Sequence, residues 1–196
     1  MRSKRFSLWS GVAVIMAACA GAQAKPSKSG VVDSLVSRDT AIARFQRNLP
    51  PVTGLTGGAQ TRDLLVRRFV TALESRDTAA LRSLLLNRSE FAWLYFPTSS
   101  QGKPPYNLTP QLMWFMLEGQ TSNGLRKLLD RLSGKPLKVL DYEREGQARH
   151  EGVNTVWGPC VVLRNSESGD TLAERLFGQI VERGQRYKFL SYANKL

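Results

Sequence analysis

The chain has 196 residues, with 28 Lys and Arg against 16 Asp and Glu, 42% hydrophobic residues, two cysteines and one histidine. That length suits one domain with a short appendage, and the cysteine count excludes a disulfide-stapled mini-protein or a thiolate zinc site. One histidine excludes a metal centre built on several imidazoles, and no Walker loop, GxGxxG, HExxH or GxSxG occurs, so no cofactor or metal is expected.

Residues 1–24 read MRSKRFSLWSGVAVIMAACAGAQA. Arg2, Lys4 and Arg5 form a basic n-region, Phe6 to Ala18 a short apolar h-region, and small residues follow. This is the pattern of an export signal, and the apolar run is shorter than the roughly 20 residues of a membrane-spanning helix. Two cleavage routes fit. Ala22-Gln23-Ala24 suits release of a protein beginning at Lys25. Met16-Ala17-Ala18-Cys19 resembles a bacterial lipobox, with Met16 where such boxes usually carry Leu, and makes Cys19 the expected lipidation site. Either route leaves Cys160, in the apolar run VWGPCVVL, without an intramolecular disulfide partner, and it is expected to act as a small core hydrophobe.

Residues 25–60 contain KPSKSG, a mildly amphipathic stretch with a short helix expected around 39–48, and PPVTGLTGGAQ. Their Pro, Gly and Ser content predicts a flexible tether. From Thr61 the periodicity sharpens. Thr61 caps a helix carrying Leu65, Val66, Phe69, Val70 and Leu73, and Asp77 caps a second with Leu81, Leu84 and Leu85. Ser89 is placed to cap the aromatic segment EFAWLYF, which Pro97 ends. After the loop TSSQGKPPYN, Thr109-Pro110 opens another helix, with an interruption expected at Asn123-Gly124. The remaining residues predict four strands, PLKVLDYERE, VNTVWGPCVVLRN, TLAERLFGQIVER and RYKFLSYAN. Short polar links between them make an antiparallel meander, hence an α+β fold.

The segment DLLVRRFVTALESRDTAALRSLLL, followed by a strand-rich half ending in YKFLSYANKL, resembles the NTF2-like (SnoaL-like) superfamily over about residues 61–196. The resemblance implies N-terminal helices packed into a strongly curved antiparallel sheet, an α+β cone with a cavity between the layers. FAWLYFPTSSQGKPPYNLTPQLMWF departs from the simple cone. The superfamily holds enzymes, binders and scaffold modules, so the fold alone implies no activity.

Enzymes on such a cone usually place an acid or imidazole in the cavity. Asp141, Glu143 and Glu145 alternate along one strand face, with Tyr142 between them, and are expected to form a solvated outer face. His150, in QARHEG, is expected in an exposed hairpin. No catalytic residue is assigned. The aromatic cluster is the stronger signal: Trp93, Tyr95, Tyr106 and Trp114 are the candidate ligand-binding residues, since aromatic walls suit small apolar ligands and protein anchors alike. They also suit a plain core.

Without Arg2, Lys4 and Arg5 the net charge is +9. An exported basic domain is drawn to anionic membrane or polysaccharide surfaces, whereas its scattered cations form no nucleic-acid motif. The sequence therefore predicts a lipid-anchored bacterial envelope protein acting as a non-catalytic binding or interaction module. The partner is expected to be an envelope protein or a small apolar ligand, and no oligomeric state is read. The alternative is an isomerase, dehydratase or hydrolase using a cone carboxylate such as Asp141, with Tyr142 as a second candidate.

Overall fold

Short polar residues set where the helices begin. In a computed structural model that describes residues 36–144 and 146–196, Ser37 caps α1 (Arg38–Gln46), Thr61 caps α2 (Arg62–Glu74) and Asp77 caps α3 (Thr78–Ser83). Each side-chain oxygen accepts a bond from a first-turn N–H, the function that makes Ser, Thr and Asp preferred there. Thr109 caps α5 (Pro110–Arg131), whose first position is a proline with no N–H to lose. The cap before the aromatic segment is Asn87, not Ser89. Asn87 and Glu90 form a reciprocal capping box at α4 (Arg88–Glu90). That single turn runs into a π-helical turn, Phe91–Tyr95. The wider turn redirects carbonyls, and the fold supplies outside donors for two of them. Gln46 Nε2 donates to the Ala92 carbonyl at 2.9 Å and Asn154 Nδ2 to that of Leu94 at 2.7 Å.

No break occurs at Asn123-Gly124, because α5 is continuous. Gly124 serves packing instead: a Cβ there would lie 1.7 Å from the Tyr192 carbonyl oxygen. The bare backbone lets residues 192–194 cross the helix, where Asn194 Nδ2 donates to the Gly124 carbonyl at 2.9 Å.

Among the described residues, seven strands form two antiparallel sheets, giving helices plus sheets of mixed α+β class. One sheet has the order β1-β4-β5 and the other β2-β3-β6-β7. The strands are β1 (Val139–Arg144), β2 (Arg149–Glu151), β3 (Asn154–Trp157), β4 (Cys160–Asn165), β5 (Thr171–Glu174), β6 (Ile180–Arg183) and β7 (Arg186–Phe189). Two of the expected long strands are therefore each broken in two. Gly158-Pro159 separates β3 from β4, since proline cannot donate to the ladder. Residues 175–179 separate β5 from β6: Leu176 and Phe177 are adjacent yet pack into the same core, which consecutive side chains of a regular strand cannot do. The polar connector expected between the first strands contains β2, which turns into β3 at Gly152, in left-handed backbone at φ +67°.

The expected tether gives way to packed structure over residues 36–60, which join residues 61–196 in one unit. Ala41, Phe45, Leu55 and Ala59 are buried, and Ala59 bridges Tyr187 of β7. Gly58 has room for no side chain, as a Cβ would meet the Tyr187 carbonyl at 2.3 Å. Residues 1–24, with Cys19, and residues 25–35 lie outside the described residues, as does Glu145.

Two cores result. Phe69, Phe177, Phe189 and Tyr192 centre the first, between α2, α3, the second half of α5 and the strands. Phe45, Phe91, Tyr95, Phe96, Met113 and Leu117 form the second, around the π-helical turn and the first half of α5. Cys160 is fully buried in the first.

Candidate functional site

The sheet corners and α5 together leave a cavity of about 290 Å³. Met113, Met116 and Leu117, spaced at three and four residues, place one flank of α5 along it, with Leu108 and Leu190 completing an apolar floor. Pro159 comes from one strand break and Arg175, Gly178 and Gln179 from the other, so the bends that divide the sheets also build the wall. Gly178 N–H donates to the Ser191 carbonyl at 3.0 Å and Leu190 N–H to the Gln179 carbonyl at 2.8 Å, fixing that corner to the C-terminal segment. Ser191 Oγ in turn donates to Gln120 Oε1 at 3.2 Å.

The polar part of the wall is Gln101, Gln120, Gln179, Ser191, Arg175 and Tyr95. Tyr95 is 1% exposed. Burial, then the nearby Glu151 carboxylate, push its hydroxyl up to about 12, so it stays protonated at neutral pH. No carboxylate or imidazole is among the lining residues. The set can bind an apolar body while its amides, hydroxyls and guanidinium orient a polar end. It offers no group for general base catalysis.

The four aromatic candidates part company here. Tyr95 lines the cavity. Trp93 is half-buried against the second core. Trp114 packs on Phe91 at 5.1 Å between centroids and lines a separate groove on the other side of α5, with Arg82 and Arg88. Tyr106 is 62% exposed on the loop before α5. They form no single aromatic wall. Asp141 and Glu143 are exposed, as the alternation predicts. Tyr142 is bonded through its hydroxyl to Asp63 of α2, and burial together with that carboxylate raises its pKa. His150 lies exposed within β2, its Nδ1 3.3 Å from Thr155 Oγ1.

Buried Lys188 and Glu90 are paired structurally. Lys188 Nζ donates to Glu90 Oε2 at 2.8 Å and to the Thr56 carbonyl at 2.8 Å. Glu90 Oε1 accepts from Thr56 N–H and Oγ1, and Oε2 also accepts from Asn87 N–H. A carboxylate with four donors around it is fully engaged and clips three segments together.

Gln179 and Arg175 carry no sequence signal, since their positions depend on the break between β5 and β6. The Met113/Met116/Leu117 spacing was readable but points equally to a core. The class defined by these features is a mixed α+β domain with a lateral, acid-free cavity. No protein-family model, no curated protein and no solved structure matches the chain.

Proposed function

We propose that the chain is an exported, lipid-anchored bacterial envelope protein whose folded part is a non-catalytic binding module, with its two sheets forming the halves of an NTF2-like cone. The single observation that carries the binding reading is the cavity beside α5, apolar at its floor and neutral or cationic at its wall, without an acid or imidazole. Its ligand is a small molecule with an apolar body and a hydrogen-bonding end. The enzyme alternative needs a buried carboxylate in such a cavity; Asp141 lines a separate groove between α2 and β1 with Asp63, Glu74 and Tyr142, and is exposed there.

The anchoring half rests on Met16-Ala17-Ala18-Cys19 behind a basic and apolar leader. Replacing Cys19→Ser is expected to shift the protein from the membrane fraction to the soluble one; unchanged retention overturns the anchor. For the cavity, Ala193→Trp places a large ring among the lining residues. Compounds that raise the melting temperature of the parent in a screen of small amphiphiles are expected to lose that effect in the variant. Equal shifts in both proteins would put the ligand elsewhere.

A further inference from the structure

The outward face of α5 carries a second feature, which shares only Met116 with the cavity. Leu112, Phe115 and Met116 sit three and four residues apart and share one face, opposite the buried Met113, Leu117, Leu125 and Leu128. Their exposures are 47%, 72% and 44%, and Tyr106, on the loop leading into the helix, is 62% exposed. The stripe continues through Gly119, Asn123 and Arg126 to Asp130, so it is apolar for its first two turns and polar beyond, with one cation and one acid. Lys103 lies in the same loop, and α1, which packs against α5 and the π-helical turn, exposes Arg44 and Arg47. The acids on these elements are Asp39, Glu118 and Asp130; Glu118 flanks Phe115, and Asp130 lies one turn beyond Arg126. Cations therefore outnumber acids around the stripe.

The described chain begins on this side. Arg38 Nε donates to the Gly102 carbonyl at 2.9 Å and Arg38 NH2 to that of Pro97 at 2.7 Å, which seats residues 36–38 against the loop that carries Lys103 and Tyr106. Sixteen residues separate Cys19 from Val36. Fully extended, the stretch from Cys19 to Val36 spans at most about 60 Å, so a lipid on Cys19 lets this side of the domain reach the bilayer.

We infer that the outer face of α5 and the Tyr106 loop dock on an anionic lipid surface, with Leu112, Phe115, Met116 and Tyr106 at the acyl boundary and Lys103, Arg44, Arg47 and Arg126 at the headgroups. An apolar stripe edged by cations is the pattern by which helices lie on such surfaces. The inference rests on the envelope reading only for the membrane being present; vesicles supplied in vitro test it separately from the fractionation of Cys19→Ser.

The test uses the full chain carrying Cys19→Ser, with a polarity-sensitive fluorophore coupled at Phe115→Cys, or at Val153→Cys in the β2–β3 turn as control. Cys160 is buried and does not compete for the label. With phosphatidylglycerol-containing vesicles, the label at 115 is expected to shift to the blue and be quenched by brominated acyl chains. The label at 153 should stay unchanged, and phosphatidylcholine vesicles should produce little effect. Adding Leu112→Ser and Met116→Ser should raise the lipid concentration for half-maximal shift by roughly tenfold or more. Because the readout is local, attachment through another part of the chain does not imitate it. No shift at 115 with vesicle-bound protein, or equal shifts at 115 and 153, overturns the inference. So does a shift at 115 that grows with protein concentration in the absence of lipid, which would assign the face to a second copy of the chain.

Discussion

Lys188 is a charged residue at 3% side-chain exposure in a strand otherwise spent on packing, and it survives there because Glu90 and the Thr56 carbonyl meet it. Desolvating such a pair offsets much of its attraction, so its presence stabilises little compared with a well-packed apolar alternative. Removing one partner is a different matter. Lys188→Met leaves the Glu90 carboxylate buried beside only neutral donors, and is expected to lower the unfolding free energy by about 3–5 kcal/mol in a denaturant titration. Nothing in the sequence marks this pair, since Glu90 reads as an ordinary first-turn acid and Lys188 as the polar position of an alternating strand. The capping residues were legible for the opposite reason: Thr61, Asp77 and Thr109 act on N–H groups three residues away, within reach of local reading. At Asn87 the same logic pointed two residues too late, because Ser89 is an equally good cap by type and only the reciprocal bond from Glu90 separates them.

At the scale of elements, α5 shows how one residue type carries two meanings. Gly119 and Gly124 lie in the same helix, yet a Cβ at 119 meets nothing within 4 Å while one at 124 runs into the Tyr192 backbone at 1.7 Å. Gly119→Ala is therefore expected to stabilise the protein by about 0.5–1 kcal/mol through helix propensity. Gly124→Ala should destabilise it by about 2 kcal/mol or more, because the crossing segment must move. Thermal unfolding of the two variants beside the parent checks both signs. Periodicity found the helix but read Gly124 as a break, since close approach by a distant segment leaves no local trace. The strands show the same boundary of legibility. Alternation located them, and Pro159 offered a visible reason for one break; the other follows from burying both Leu176 and Phe177, which only the assembled core requires.

For the whole molecule, the tyrosines give a test of how the parts hold together. Burial leads the causes that raise the pKa of Tyr95, Tyr142, Tyr187 and Tyr192, and Tyr95 reaches about 12. The unfolded chain would lose these protons near pH 10 and the folded one later, so the folded state binds more protons in that window. Stability is accordingly intact below about pH 10 and falls as pH rises from there towards 12. Denaturant titrations at stepped alkaline pH should show this decline, and Tyr95→Phe should make it shallower. The α+β class was readable from the order of periodicities, helices first and strands after. The cavity was not, because its wall is assembled from α5, two strand breaks and the C-terminal segment, and no short stretch of sequence contains more than a part of it. Tyr95 alone of the four aromatic candidates reaches it, since residue type says nothing about which side of α5 a ring falls.

The clip formed by Glu90, Lys188 and Thr56 joins residues 98 and 132 positions apart. Closing loops of that length carries an entropic penalty that is offset only once the intervening sheets and α5 are assembled, so these bonds belong after the rate-limiting step of folding. Loss of the clip should then appear in the rate at which the native protein opens, with refolding almost unchanged. Wherever an opened chain meets proteases, this places the control of lifetime on a latch whose residues do not line the cavity.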